Sequence, residues 1–496
     1  MIAKVTSGYG GYDLSSTVRT PKSRGTQAGG TKIVAVLPRG EAIRNFVQSG
    51  ALDLVASEAD LSVLTVLPEP DSLTRLREKY RTVLVLSETA EQYPVRILRE
   101  LLDLAHGRHL WSAAAQERWR LRDAEASTFR KRVKRLGKKL FSIPFATEPG
   151  LVLLERLERA ASHALVPSAQ YENLFRRLRP ALVFNGSHVH GRIAIQAIQA
   201  AQKLGIPTAA FIFSWDNLTS QGRIVPAYDY YLVWNEDIKQ QLLAIYPRIS
   251  PRQVFVTGTP QFDFHFRQNS YWSRKEFCQK VGVSPDRPIV LYSTGMPEHM
   301  PGEPQIVEGI ADLLSEMTDL GRPQLLVRVY PKDHTGRFEE LKRRRPDIVF
   351  PDARWVVQWL TPTESDNQML TNTLRHADVG INVASTISLE LCMFDRPVVN
   401  VAYDPPGIKN VRVPYARYYE YDHYRTVVES GAVDVARTSD QMRSQLREGL
   451  TNPAARQLQR RLLMQRMFGD TLDGCSSDRV ARLLIELASK RTPERD

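Results

Sequence analysis

Residues 377–404 read ADVGINVASTISLELCMFDRPVVNVAYD. Asp378–Val383 is a short apolar run and Val398–Ala402 is another, which predicts two buried strands. Between them Ala384, Ser385 and Thr386 open a helix that carries Ser388 and Glu390 in its first turn or so. A helix N-terminus presents unpaired N–H groups and the positive end of a dipole, so it can hold a phosphate. A carboxylate one turn further in can accept hydrogen bonds from two neighbouring hydroxyls, as in a ribose. Strand, hydroxyl-rich turn, helix and strand together predict a nucleotide-diphosphate grip in a parallel α/β sheet.

The same alternation extends on both sides. Upstream, Ile289–Ser293 and Gln324–Tyr330 read as strands, with helical stretches at Gln305–Thr318, Arg337–Arg344, Gln368–Arg375 and Ile387–Phe394. An earlier series has strands at Ile33–Leu37, Ser62–Leu67, Thr82–Leu86, Ala181–Asn185, Thr208–Phe213, Tyr231–Trp234 and Val254–Thr257. Strands separated by helices predict parallel sheets covered on both faces. The chain therefore divides into a leader (1–30), a first doubly wound domain (31–265), a polar linker (266–287), a second doubly wound domain (288–465) and closing helices (466–496) that pack back toward the first domain. Within the first domain, about 95–179 shows helical spacing and no strand, a helical insertion. Two such domains leave a cleft at the carboxyl ends of both sheets, where ligands bind in these folds.

The chain has 496 residues, 42% of them hydrophobic and 25% charged, enough for two cores. Cys278, Cys392 and Cys475 are far apart and in no CxxC pattern, which argues against a disulfide framework or a zinc site and for a reducing cytoplasm. No apolar run approaches the roughly 20 residues of a membrane span. Arg39-Gly40-Glu41 follows the first strand, the place of a phosphate or acceptor loop, but lacks the GxGxxG fingerprint of a dinucleotide cofactor. No DxD pattern ends a strand, so neither a metal nor a cofactor is expected.

Three further segments fall at strand ends in order: Val256–Asp263 (VTGTPQFD), Leu291–Gly295 (LYSTG) and Arg328–His334 (RVYPKDH). With Ser385, Thr386 and Glu390 the series resembles the carboxyl-terminal half of a GT-B glycosyltransferase. It is more loosely similar to CDP-glycerol polyol-phosphate transferases and UDP-N-acetylglucosamine 2-epimerases. Tyr330-Pro331 stands where the polyol-phosphate transferases have a His-Pro pair. The resemblance implies two Rossmann-like domains with the nucleotide on the second. Ser385 and Thr386 would meet the pyrophosphate and Glu390 the ribose, with Ser388 in the same nucleotide site. Arg328 and Lys332 would neutralise phosphate charge, and Thr294 and Gly295 would line the same loop face.

The first half should then carry the acceptor and a base. Ala181–Arg192 (ALVFNGSHVHGR) places His188 and His190 after a strand, and histidine can take a proton from an acceptor hydroxyl near neutrality. The 2-epimerases have a His-Gly pair at the matching position, which favours His190. Either ring can equally cap the helix that follows. Phe213–Gly222 (FSWDNLTSQG) offers Trp215 as an aromatic platform, Asn217 as a hydrogen-bonding group and Asp216 as the alternative base; an Asx turn is the structural alternative. His299 and Asp404 lie in strand-end loops within reach of a sugar.

The formal charge is +12, and much of it lies between Arg118 and Lys139. There Phe129, Val133, Leu136 and Leu140 share one helical face. A basic amphipathic helix over 129–141 can lie in an anionic membrane interface, or its apolar stripe can pack on its own domain. Nucleic acid is not expected, because no binding motif accompanies the charge. The function these features imply is transfer of a sugar from a nucleotide-sugar to a carbohydrate or lipid-linked acceptor, in surface polysaccharide or glycolipid assembly, without metal and with inversion. A cytoplasmic enzyme peripheral to the membrane is expected. The alternatives are a nucleotide-sugar epimerase or hydrolase, a polyol-phosphate transferase, or a non-catalytic carbohydrate-assembly scaffold.

Overall fold

The computed structural model describes residues 30–66, 70–86, 91–352, 355–356, 361–408 and 413–490. The leader up to residue 29, Leu67 at the end of one expected strand and the last six residues lie outside that set.

Chain order in the first half is β1 (Lys32–Leu37), α1 (Gly40–Ile43), α2 (Ala51–Glu58), β2 (Asp60–Thr65), α3 (Pro70–Lys79) and β3 (Thr82–Val85). Five helices follow before the next strand: α4 (Tyr93–Leu110), α5 (Ala113–Ala124), α6 (Phe129–Ser142), α7 (Glu148–Leu165) and α8 (Ala169–Leu178). Then come β4 (Leu182–Asn185), α9 (Gly191–Lys203), β5 (Thr208–Phe211), α10 (Asn217–Ser220), β6 (Tyr230–Val233), α11 (Glu236–Ile245) and β7 (Val254–Val256). The strands form one parallel sheet in the order β3-β2-β1-β4-β5-β6-β7. Strands β1, β4 and β5 are almost wholly buried, as expected of apolar runs with helices on both faces.

The segment 266–287, expected as a linker, contains α12 (Arg274–Val281). Arg274 ties it to the second half through Asp378 at 2.9 Å, and Phe277 stacks on His376. The second half runs β8 (Ile289–Ser293), α13 (Glu303–Ser315), β9 (Gln324–Arg328), α14 (Glu339–Arg344), a short antiparallel pair β10 (Trp355–Val356) and β11 (Thr361–Pro362), α15 (Glu364–His376), β12 (Val379–Asn382), α16 (Ile387–Met393) and β13 (Val398–Val401). It ends with α17 (Asp422–Glu429), β14 (Asp434–Ala436), α18 (Ser439–Thr451), α19 (Gln457–Phe468) and α20 (Ser476–Ser489). Its parallel sheet has the order β14-β13-β12-β8-β9. The chain is thus α/β, with two Rossmann-like sheets.

Strand order reverses at β1/β4 in the first sheet and at β8/β12 in the second. Such switch points open crevices at the carboxyl ends of the strands. The last helix, α20, returns to pack on α2. Asp263 receives it, accepting from the Ser476 and Ser477 backbone N–H groups at 3.2 and 2.6 Å. Gly258 sits beneath it at φ +75°, and a Cβ there would lie 2.4 Å from Ser476 Oγ, so only glycine fits.

Candidate functional site

The two sheets meet through loops that leave β1 and β7 on one side and β9 and β12 on the other. Behind β1, Arg39 precedes α1, buried Gly40 begins it, and Glu41 follows. Glu41 forms an ion pair with Lys332, from the loop after β9, and another with Arg39 at 3.3 Å. Burial pushes the Glu41 carboxyl up, but Lys332 and Arg39 outweigh it and hold it below the usual carboxylate range. Burial lowers Lys332 from the usual ammonium value against the pull of Glu41. One turn on, Arg44 donates to Gln261 at 2.8 Å and feels the charges of Glu390 and Glu41. Tyr330 stands beside them, its hydroxyl pushed up to about 12 by burial and by Glu41.

Glu390 reaches this cluster from α16. Its carboxylate is buried and lies 2.8 Å from His265 Nε2, while His265 Nδ1 meets Thr371 Oγ1 at 3.0 Å. His265 arrives on the 3-10 turn Pro260–Phe266, the continuation of the VTGTPQFD segment. That segment therefore does two things: Asp263 caps α20, and His265 crosses to α16. Sequence reasoning missed His265 and Arg44, and it gave Glu41 only as part of the Arg39-Gly40-Glu41 loop. The usable signal was that Arg44 lies one helical turn past Arg39-Gly40-Glu41 and that His265 lies seven residues past Gly258, in the segment that glycine opens.

The other expected donor residues divide. Ser385 and Thr386 are partly exposed at the turn, where Ala384 adopts a left-handed φ of +40° and Ser385 N–H donates to Asn382 Oδ1 at 3.0 Å. Thr386 makes no side-chain cap to its own helix. Ser388, expected in the nucleotide site, is fully buried and bonded to Asn382, Asn400 and the Tyr424 hydroxyl. Arg328, expected to neutralise phosphate, is buried in an ion pair with Asp366 at 2.7 Å, also buried. Thr294 Oγ1 accepts from Tyr330 N–H at 2.7 Å and joins the two strand-end loops. Gly295 N–H donates to Glu303, whose carboxyl burial pushes up to about 7 against the pull of Arg337.

On the acceptor side, His188 is buried, and its Nδ1 lies 3.3 Å from Phe213 N–H and 3.2 Å from the Phe211 carbonyl. His190 ends the 3-10 turn His188–His190 before α9; its side chain lies outside the described residues. Trp215 is buried edge-on against His423 at 5.2 Å and beside Tyr424 at 5.9 Å, so its ring joins the two halves. Asn217 Oδ1 accepts from Ser214 N–H and Asp216 Oδ2 from the Ser220 hydroxyl, but Asp216, at the N-cap of α10, makes no side-chain cap, so the Asx turn expected as the alternative is not formed. His299 sits beside the Tyr418 hydroxyl at 3.3 Å, and Asp404 staples its loop by accepting from Tyr415 N–H. A cavity of about 530 Å³ opens next to His188, walled by Arg96, Arg99, Arg122, Arg135 and Lys138 of the helical insertion together with Glu91, Glu100 and Asp103.

No family model matches the chain, and no curated protein does. Among solved structures, the chain is similar to a UDP-GlcNAc 2-epimerase from Neisseria meningitidis bound to UDP-GlcNAc. The identity is 12% and the TM-score 0.53, over 92% of this chain and 100% of the other. A UDP-GlcNAc 2-epimerase from Methanocaldococcus jannaschii matches with a TM-score of 0.51 at 12% identity, over 92% of this chain and 100% of that one. A further UDP-N-acetylglucosamine 2-epimerase matches with a TM-score of 0.52 at 12% identity, over 94% of this chain and 98% of its own. At such identities the likeness is one of fold, and the fold is GT-B.

Proposed function

We propose that this protein transfers a sugar from a nucleotide-sugar, held on the second domain, to a carbohydrate or lipid-linked acceptor presented by the first. The observation that carries the reading is the charged constellation between the sheets. Glu41, Arg44 and His265 from one half face Tyr330, Lys332 and Glu390 from the other, at the crevices of a GT-B fold. Lys332 and Arg44 supply positive charge where a diphosphate leaving group gains negative charge, which substitutes for a metal. Glu390 has one oxygen toward His265, and its other oxygen serves a ribose hydroxyl. Ser385 and Thr386 complete the phosphate side.

In the inverting form the acceptor hydroxyl attacks the anomeric carbon from the face opposite the nucleotide. The bond to the β-phosphate oxygen breaks, the nucleoside diphosphate leaves with that electron pair, and a base accepts the hydroxyl proton. His190 is the base of this proposal because its turn follows β4 at the crevice. Asp216 is the alternative, although its carboxylate is engaged with Ser220.

A second reading, epimerisation of the nucleotide-sugar, is favoured by one specific observation. The three solved structures described above, which match along 98 to 100% of their own length, are 2-epimerases. Incubating the protein with UDP-GlcNAc alone, followed by NMR, separates the two. An epimer formed without acceptor establishes the second reading and removes the first. The shared basis of both is tested by thermal shift over UDP, GDP, ADP and CDP, since a ligand that binds only the native state raises the melting temperature. No shift with any of them would overturn both readings.

A further inference from the structure

Helix α6 lies on the insertion with Arg135, Lys138 and Lys139 turned inward and its apolar stripe outward. Arg135 and Lys139 both reach Asp123, Lys139 also lies over the Trp119 ring at 4.8 Å, and Lys138 reaches Glu100. The opposite face carries Phe129, Leu136, Leu140 and Phe141, which are 83, 57, 57 and 64% exposed, with Val133 and Ile143 also exposed beside them. A surface helix ordinarily buries its apolar stripe against the core. Among the described residues nothing covers the stripe, which speaks against its packing on its own domain.

The stripe continues onto α4. Ile97, itself exposed, lines a small apolar hollow with Leu101, Gly137 and Phe141. Arg130 and Lys134 border the stripe and Lys131 lies at its amino-terminal end; all three are exposed, and no ion pair engages them among the described residues. Bulky apolar side chains bordered by unpaired cations match an anionic lipid surface, with hydrocarbon taking the stripe and headgroup phosphates the cations. No described helix is long and apolar enough to cross a membrane, so the contact is peripheral.

We infer that the outward face of α6, extended by Ile97 of α4, docks the protein onto an anionic phospholipid bilayer. The occupant is chosen by charge complementarity. A second copy of this chain would bring the same cations, Arg130, Lys131 and Lys134, against one another, whereas an anionic bilayer neutralises them. The helical insertion then has a function apart from the cleft, as a bilayer-docking module at one flank of the first domain.

The test is flotation of the full chain with vesicles of phosphatidylcholine alone or mixed with phosphatidylglycerol, without nucleotide. Binding is expected only to the mixed vesicles and should weaken with salt. R130E/K131E/K134E should reduce it by roughly tenfold or more, since each cation near an anionic surface contributes to binding. L136E/L140E should abolish it. Both variants alter exposed side chains, and unchanged circular dichroism and melting confirm that they fold. Equal binding to both vesicle types, or binding unaffected by either variant, overturns the inference. So does sedimentation that shows a dimer, dissociated by L136E/L140E, with no vesicle binding. Because the readout uses no nucleotide, it fails or succeeds independently of the proposed reaction.

Discussion

Glu390 and His265 meet at 2.8 Å although 125 residues separate them in the chain. The pair fastens the helix after β12 to the segment that closes the first domain, so the carboxylate proposed for ribose is held by the opposite half. Exchange of Glu390→Gln keeps a hydrogen-bonding side chain of the same shape and removes the charge. Under the proposed reading, UDP affinity falls about tenfold, the difference between a charged and a neutral hydrogen bond, while the fold persists. Isothermal titration with UDP measures it; unchanged affinity would place the ribose elsewhere.

Lys332 and Glu41 span the same cleft and give predictions of opposite sign. Lys332→Ala removes a cation from the phosphate side and should weaken UDP binding by roughly tenfold while leaving uridine binding unchanged. Glu41→Ala frees Lys332, so UDP affinity should hold or rise. If both exchanges weaken UDP equally, the ion pair acts only to join the halves.

The sheets were legible because buried parallel strands are continuous apolar runs, as at Ile33–Leu37 and Ile289–Ser293, and such runs need no partner to be recognised. Side-chain direction was not legible. Arg328 and Lys332 share one strand-end segment, yet Arg328 turns into the core to Asp366 while Lys332 crosses the cleft to Glu41. Residues four apart at the end of a strand do not reveal which of them finds a partner from a distant element. His265 was missed for the same reason: its partners, Glu390 and Thr371, come from α16 and α15. The amphipathic period of α6 was readable, but which face turned outward depended on Asp123 and Glu100 awaiting its lysines and arginine.

Arg328 yields a prediction that separates stability from binding. Its guanidinium and the Asp366 carboxylate are both buried, and removing one member of such a pair leaves an uncompensated charge. Arg328→Met should cost about 3 kcal/mol in urea unfolding. The folded fraction should retain UDP affinity. A loss of affinity larger than the loss of stability would return Arg328 to the phosphate.

His106 in α4 is fully buried, and among the described residues neither ring nitrogen has a hydrogen-bond partner. Burial, with Arg223, Arg118 and His109 adding positive charge nearby, lowers its pKa from 6.5 to about 3. The folded state therefore binds fewer protons than the unfolded chain between those values, so this contribution to stability is complete above about 6.5 and declines as pH falls. At pH 5 the loss is about 2 kcal/mol, from about 1.4 kcal/mol per pH unit. His106→Leu removes the titrating ring and keeps an apolar side chain against Tyr246, its 6.1 Å neighbour. Urea midpoints at pH 7 and pH 5 should therefore converge in the variant relative to the parent. An identical acid dependence in both proteins would assign the titration to another group and leave the insertion's attachment independent of His106.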